Sequence, residues 1–242
     1  MEVKPVYEYF RREDTFLARM IKKASPKTGK EYLKSNIRRL LDLSVSLPAS
    51  TASIPIISVL GLLKILEDGG PAFFFQKRYG KGMKKTINLI KIRCMKVNSD
   101  YGPDNIKIAK NIDPANDPRN TKLGRLMRKH QLEELPQLFQ VALNQLSLIG
   151  LRSLPDYDLK TWTQELDQQK SKTLIELYKI CGGSLIDIIT VLEPSFAKKT
   201  DRNRLAYYEF YGKKASLGLD LYILWRTFIK LSRLTSIIKV KI

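Results

Sequence analysis

Histidine and cysteine are almost missing from this chain. Its 242 residues include one histidine and two cysteines. Cys94 and Cys181 lie far apart and outside any CxxC spacing, which argues against a disulfide framework or a structural zinc site and fits a reducing compartment. The lone His130 excludes histidine-rich metal centres and weakens any Ser-His or Cys-His triad; it reads as a solvated side chain in a polar turn. Acidic residues are scarce as well, 24 against 43 Lys and Arg, for a formal net charge of +19. So basic a balance favours nucleic acid, acidic lipid surfaces or phosphorylated substrates, and charge alone does not choose among them. No helix-turn-helix, RNP or zinc signature supports the first of these, a soluble basic nucleic-acid-binding protein. Residues 1–36 hold no apolar h-region and read as a polar helical arm, so the chain is expected to stay on the cytoplasmic side. Repeats and low-complexity tracts are absent.

What is present begins with residues 37–66, IRRLLDLSVSLPASTASIPIISVLGLLKIL, the most apolar tract of the chain. Pro48 and Pro55 interrupt it, and Ser and Thr crowd its middle. The flanking segments 37–47 and 56–66 would each be about 16 Å long at ~1.5 Å per residue, roughly half of a ~30 Å hydrocarbon core. Two half-length helices joined at a proline break suit a re-entrant hairpin, with Ser and Thr serving freed backbone groups. Basic residues flank both ends, Arg38 and Arg39 before and Lys77, Arg78, Lys81, Lys84 and Lys85 after, which puts both ends on the cytoplasmic face. A buried helix pair of a soluble protein fits the tract equally well.

Residues 71–95 read as short strands around a glycine-bearing basic turn, and 98–120 as a loop dense in Asn, Asp, Gly and Pro. Helical patterning returns at 121–129, 135–148 and 157–178. In the tail, 216–242, Leu221, Leu224, Trp225, Phe228 and Leu231 share one helical face, as in a core-docked helix or an interfacial membrane helix.

The stretch 130–138, HQLEELPQL, sets Glu133 and Glu134 side by side before Pro136. Proline suits the first helical positions, so both carboxylates are expected at a helix start, where the macrodipole keeps them ionised. Ionised carboxylates serve as nucleophiles or Mg²⁺ ligands, and they also cap ordinary helices; spacing alone favours the ordinary cap.

The ordered motifs resemble the bacterial sugar transferases, the monotopic phosphoglycosyl transferases, from about residue 37 to the C-terminus. Arg38-Arg39-Leu-Leu-Asp42 resembles the family's Lys-Arg-x-x-Asp, and Pro55 sits where the family breaks its re-entrant helix. Gly70-Pro-Ala-Phe-Phe-Phe-Gln76-Lys-Arg78-Tyr-Gly80 is close to Gly-Pro-x-Phe-Phe-x-Gln-x-Arg-x-Gly, and Lys91-Ile-Arg93-Cys-Met95 to Lys-Phe-Arg-Ser-Met. Gly124 to Arg128 is similar to Gly-x-x-x-Arg, and Leu132-Glu133-Glu134-Leu-Pro136-Gln137-Leu to Leu-Asp-Glu-Leu-Pro-Gln-Leu. Ser147-Leu-Ile-Gly150-Leu-Arg152-Ser resembles Ser-Leu-Val-Gly-Pro-Arg-Pro, and Asp220-Leu221 a C-terminal Leu-Asp-Leu. Four departures stand out: Glu133 for Asp, Leu151 and Ser153 for two prolines, a much-altered segment at 179–184, and Tyr208 where the family commonly carries Asp.

The resemblance implies a mixed α/β, monotopic membrane protein of the inner membrane's cytoplasmic face. Its parts are an N-terminal arm (1–36), a re-entrant helix-break-helix (37–66) marked by Arg38, Arg39, Asp42 and Pro55, and a globular catalytic-type domain (67–242). It also implies transfer of a phospho-sugar from a UDP-sugar to polyprenyl phosphate with Mg²⁺. Glu133 is then the nucleophile, Glu134 the carboxylate on the metal side, and Arg128, Arg152, Lys91 and Arg93 are phosphate contacts. Anionic lipid is the expected surface partner, nucleic acid is not expected, and a homo-oligomer stays open. Because departures gather in active-site motifs, a catalytically degenerate homologue serving as a membrane-bound partner or scaffold is the alternative.

Overall fold

The computed structural model describes residues 26–99, 116–192 and 201–236, with side chains masked at 26–28, 201–203 and 231–236. Most of the expected arm, and the greater part of the loop between 98 and 120, lie outside the described residues.

Helix α1 (Pro26–Leu33) leads into α2 (Asn36–Asp68), a 33-residue helix. Ser35 caps the start of α2, its Oγ accepting from Arg38 N; Gly69, at φ 70°, ends it and donates to Ile65 O. Pro48 and Pro55 both lie inside α2, so the expected break is not a loop: the two apolar halves form one helix. Around the prolines, hydroxyls turn back onto the helix's own carbonyls, Ser50 and Thr51 donating to Leu47 O and Ser53 to Ser50 O. That satisfies hydroxyls on an apolar helix and favours bending over interruption.

This helix is inside out. Arg38, Asp42, Ser46, Ser50, Ser53, Gly61 and Lys64 are buried, whereas Leu40, Leu47, Val59, Leu62 and Leu66 are exposed. Polar residues facing the protein and leucines facing outward suit a lipid surrounding. Among the described residues α2 alone is long and apolar enough to cross a membrane. Both of its ends are tied to the globular part. Arg38 donates to Leu33 O and Ile149 O, Arg39 to Val141 O and Ala142 O, and Asp42 accepts from Leu148 N and pairs with Lys81. At the far end Lys64, with no side-chain exposure, meets Glu67, Asp68 and the Thr121 hydroxyl.

Strands β1 (Phe73–Tyr79) and β2 (Thr86–Ile92) pair antiparallel, Phe73 opposite Ile92 and Tyr79 opposite Thr86, around the expected basic turn. Helix α3 (Lys122–His130) follows, capped by the Thr121 hydroxyl. Its Gly124 is required by close approach: a Cβ there would lie 1.9 Å from Cys94 O. A one-turn 3-10 helix (Leu132–Glu134) and short α4 (Gln137–Ala142) come next. The helix expected over 135–148 thus ends early, at Ala142; the chain turns at Asn144 with φ 60°, and the tail of the expected helix becomes β3 (Ser147–Arg152). Strand β3 pairs in parallel with β4 (Gly182–Asp187) across α5 (Asp156–Glu165) and α6 (Gln168–Cys181). The single helix expected over 157–178 is therefore two, the second capped by Asp167. Strand β3 is buried along its length as far as Leu151, so its apolar run has no alternation and resembles a helix in sequence.

Helices α7 (Ile188–Leu192), α8 (Asp201–Lys214) and α9 (Leu217–Ser236) complete the described chain. The main core gathers Leu148, Ile149, Leu174, Tyr178, Tyr211 and Ile223. Helix α9 docks through Leu219, Tyr222 and Ile223 while Leu221, Trp225 and Phe228 stay exposed. The helix is therefore core-docked, as in the first of the two expected settings, and Leu224 of the expected face packs against the core, while the side chain of Leu231 lies outside the described residues.

Candidate active site

The site forms where α3 turns into the 3-10 helix. Gln131 takes φ 57° and reverses the chain, its N–H reaching Arg128 O and Met127 O. Glu133 and Glu134 follow at once, at the start of the helical run that continues into α4, with Pro136 one residue before α4. The expected helix start is present; the carboxylates occupy its 3-10 turn.

The two carboxylates differ. Glu134 Oε1 lies 2.6 Å from Lys91 Nζ. Burial raises its pKa, but Lys91, Arg152 and Arg78 outweigh burial and hold it down to about 2. Glu133 is pushed above the ordinary carboxylate range, first by burial and then by the charge of Glu134; Lys91 and Arg128 act against this. Its Oε2 is buried and has no hydrogen-bond partner among the described residues. A buried, unpartnered carboxylate oxygen is costly unless a ligand, a cation or a reaction uses it.

Three cations face Glu134. Lys91 comes from β2, its own pKa lowered by burial and partly restored by Glu134. Arg152 ends β3, and its guanidinium makes no hydrogen bond among the described residues, although its charge bears on Glu134, Lys91 and Arg78. Arg78 comes from β1, gripped by Gln76 Oε1 at 2.6 and 2.9 Å and donating to Ser153 O. Burial and the Arg152 charge bring its pKa down to about 10. Sequence reasoning quoted Arg78 in a motif but gave it no site role; the Gln-x-Arg spacing that turns both side chains to one face of β1 was the available signal.

Arg128 lies against Cys94, and its charge favours ionised Glu133. Arg93, expected as a phosphate contact, is placed differently. Its guanidinium binds both oxygens of Asp68 at 2.6 and 2.7 Å and donates to Pro71 O and Met95 O, so its donors are spent joining α2 to β2. Arg38, Arg39 and Asp42 likewise anchor α2 to β3 and α4, and Pro55 is exposed on α2. Where Tyr208 replaces an expected Asp, its hydroxyl donates to Asp187 at 3.2 and 3.3 Å, so another residue brings a carboxylate to that point. Asp187 carried no sequence motif, and only the packing of β4 against α8 reveals it.

Among the described residues no three His, Cys, Asp or Glu side chains gather as a metal cage. Two adjacent carboxylates, one with a buried free oxygen, still fit Mg²⁺, which binds proteins through one or two carboxylates and completes its shell with water and substrate phosphates.

The family described as bacterial sugar transferase matches residues 33–233. An uncharacterized sugar transferase of Haemophilus influenzae is 30% identical over 202 residues, covering 79% of this chain and 40% of the relative. The undecaprenyl-phosphate galactose phosphotransferase of Salmonella typhimurium is 29% identical over 202 residues, 79% of this chain and 39% of its own length. The UDP-glucose:undecaprenyl-phosphate glucose-1-phosphate transferase of Xanthomonas campestris is 26% identical over 176 residues, 73% and 34% respectively. The chain thus spans about two fifths or less of these relatives. With the match running from the end of α1 into α9, the chain belongs to the bacterial sugar transferase family.

Proposed function

We propose that this protein transfers a phospho-sugar from a UDP-sugar to polyprenyl phosphate, the first membrane step of a polysaccharide or glycoconjugate. The observation that carries the reading is the Glu133–Glu134 pair, with one carboxylate oxygen buried and unpartnered, set among Lys91, Arg78 and Arg152. Undecaprenyl phosphate in the names of the Salmonella and Xanthomonas relatives supports the acceptor class.

In this reading Glu133 attacks the β-phosphorus of the UDP-sugar. A carboxylate–phosphorus bond forms as the bond to the bridging oxygen breaks, and UMP leaves with that electron pair. A phosphate oxygen of the polyprenyl phosphate then attacks the same phosphorus and Glu133 departs as carboxylate. Arg152, with uncommitted donors, and Arg78, held rigid by Gln76, stabilise charge on the transferred phosphoryl group. Arg128 favours the ionised nucleophile. Glu134, kept anionic by Lys91, would hold Mg²⁺, which neutralises diphosphate charge when bound. The outward leucines of α2 and the basic residues at its flanks support a site on the cytoplasmic face of the inner membrane, against anionic lipid.

The test is UMP release by detergent-purified protein given Mg²⁺, polyprenyl phosphate and a panel of UDP-sugars. Wild type releases UMP, Glu133→Ala does not, and Glu133→Asp, its carboxylate displaced by about 1 Å, is slower by on the order of 10²-fold. Full activity in the alanine variant sinks the assignment. A silent wild type beside an active Asp variant identifies a disabled homologue.

A further inference from the structure

Helix α4 is built the wrong way round for a water-facing helix. Gln137 and Gln140 are turned inward, 3% and 2% exposed. Gln140 is fully engaged, its Oε1 accepting from Ile90 N and its Nε2 donating to Asn88 O and Gln145 Oε1. Outward face Phe139 at 37% and Leu143 at 69% exposure, with Leu135 and Leu138 half-buried beside them. Residues 135, 139 and 143 follow the i, i+4 rule and form one stripe.

The two ends of this stripe lie at informative places. It starts one residue after Glu134. It finishes at the C-terminal end of α4, where Arg39 of α2 donates to Val141 O and Ala142 O. The neighbour of Arg39 in sequence, Leu40, is 67% exposed on the outward face of α2. The exposed apolar side of the membrane helix thus meets the end of α4, and from Leu143 back to Leu135, beside the carboxylate pair, the stripe spans roughly 12 Å at ~1.5 Å per residue.

We infer that the Leu135–Phe139–Leu143 stripe is the docking track for the isoprenoid chain of the acceptor, which it leads from the membrane helix to Glu133. This rests on the proposed function, since it names how that reaction's second substrate is held. Polyprenyl phosphate fits because the track is apolar along its length, begins at the lipid-facing helix and ends among Lys91, Arg78 and Arg152, which suit its phosphate. A bulk lipid has no need of a path ending at the carboxylates.

The two half-reactions separate the inference from the function on which it rests. Acceptor-free UMP formation on mixing with UDP-sugar reports Glu133 alone. The KM for geranyl, farnesyl and undecaprenyl phosphate in detergent micelles reports the track. Phe139→Gln and Leu143→Gln are expected to raise the KM for the two longer acceptors about ten-fold or more, the scale of an exposed large apolar contact, with a smaller effect on geranyl phosphate and the UMP burst retained. Unchanged KM values overturn the inference, as does an equal rise in Trp225→Gln, which would assign the stripe to bulk lipid. So does a dimer that Leu143→Gln dissociates without a KM change, which would assign it to a second copy. If wild type gives no UMP burst, the function fails first; a photoreactive farnesyl phosphate then still tests the track in Glu133→Ala. Labelling within 135–143 supports it, and labelling confined to α2 or α9 overturns it.

Discussion

Replacing Lys91 by methionine keeps the stem and removes the ammonium that lies 2.6 Å from Glu134. The cations around Glu134 bring it from an ordinary 4.5 to about 2 against the opposing push of burial. That drop corresponds to about 3 kcal/mol at 1.36 kcal/mol per pH unit. Lys91 leads the cations and alone hydrogen-bonds the carboxylate, so about half the drop, or roughly 1.5–2 kcal/mol, is its share. Screening at a side chain still 22% exposed, and relief of the buried ammonium, both trim this figure. A depressed carboxylate stabilises the fold above its unfolded value of 4.5 and loses that contribution as pH falls through 2. The Lys91→Met variant should therefore unfold in urea about 1–2 kcal/mol more easily at pH 7, with the gap to wild type closing below pH 4. Its acid limb of UMP release should move to higher pH, because Glu133 also loses a cation that favours its ionised form. Lys91→Arg should preserve both properties. Equal stability at pH 7 together with an unmoved acid limb would refute the role given to this pair.

Asp220 accepts from the Tyr32 and Tyr211 hydroxyls at 2.7 Å, and burial raises it from 3.8 to about 6. Its folded form holds a proton that the unfolded chain has lost, so this contribution is complete below pH 3.8 and disappears as pH rises to 6, about 3 kcal/mol in all; Asp220→Asn should flatten that part of a stability–pH curve measured by urea unfolding. Lys64→Met leaves Glu67 without its buried partner, while Asp68 keeps Arg93, and should cost about 1–2 kcal/mol, a Tm loss of roughly 2–8 °C by thermal unfolding in detergent. Gly124→Ala drives a methyl into Cys94 O and should cost at least about 2 kcal/mol by urea unfolding, with reduced UMP release because α3 carries Arg128 toward Glu133.

Several features were legible without coordinates because each has a local cause. The β1–β2 hairpin follows from apolar runs around a basic glycine turn, and the helix start at the carboxylates from the proline that follows, although its 3-10 form over Leu132–Glu134 does not. Composition did not decide that α2 turns its apolar side outward, since the tract suits a buried helix pair equally well, nor its continuity through Pro48 and Pro55: proline signals a stop in sequence, whereas hydroxyl back-bonds and anchoring at both ends hold one helix together. Strand β3 was hidden for another reason. Buried on both faces, it shows no period-two pattern.

By itself the sequence determined the chemistry on offer: two adjacent carboxylates, an excess of arginine and lysine, and an apolar tract that water would not tolerate exposed. The tertiary structure decided how those groups were used. Arg78 and Arg93 are equivalent guanidinium groups in sequence, both in matched motifs. Packing gives Arg93 a carboxylate, Asp68, that takes its charge, and gives Arg78, among the described residues, neutral hydrogen-bond acceptors, which leaves its charge to the site. Such a distinction depends on long-range neighbours, since a side chain's effective charge is set by what desolvates and pairs it rather than by its identity.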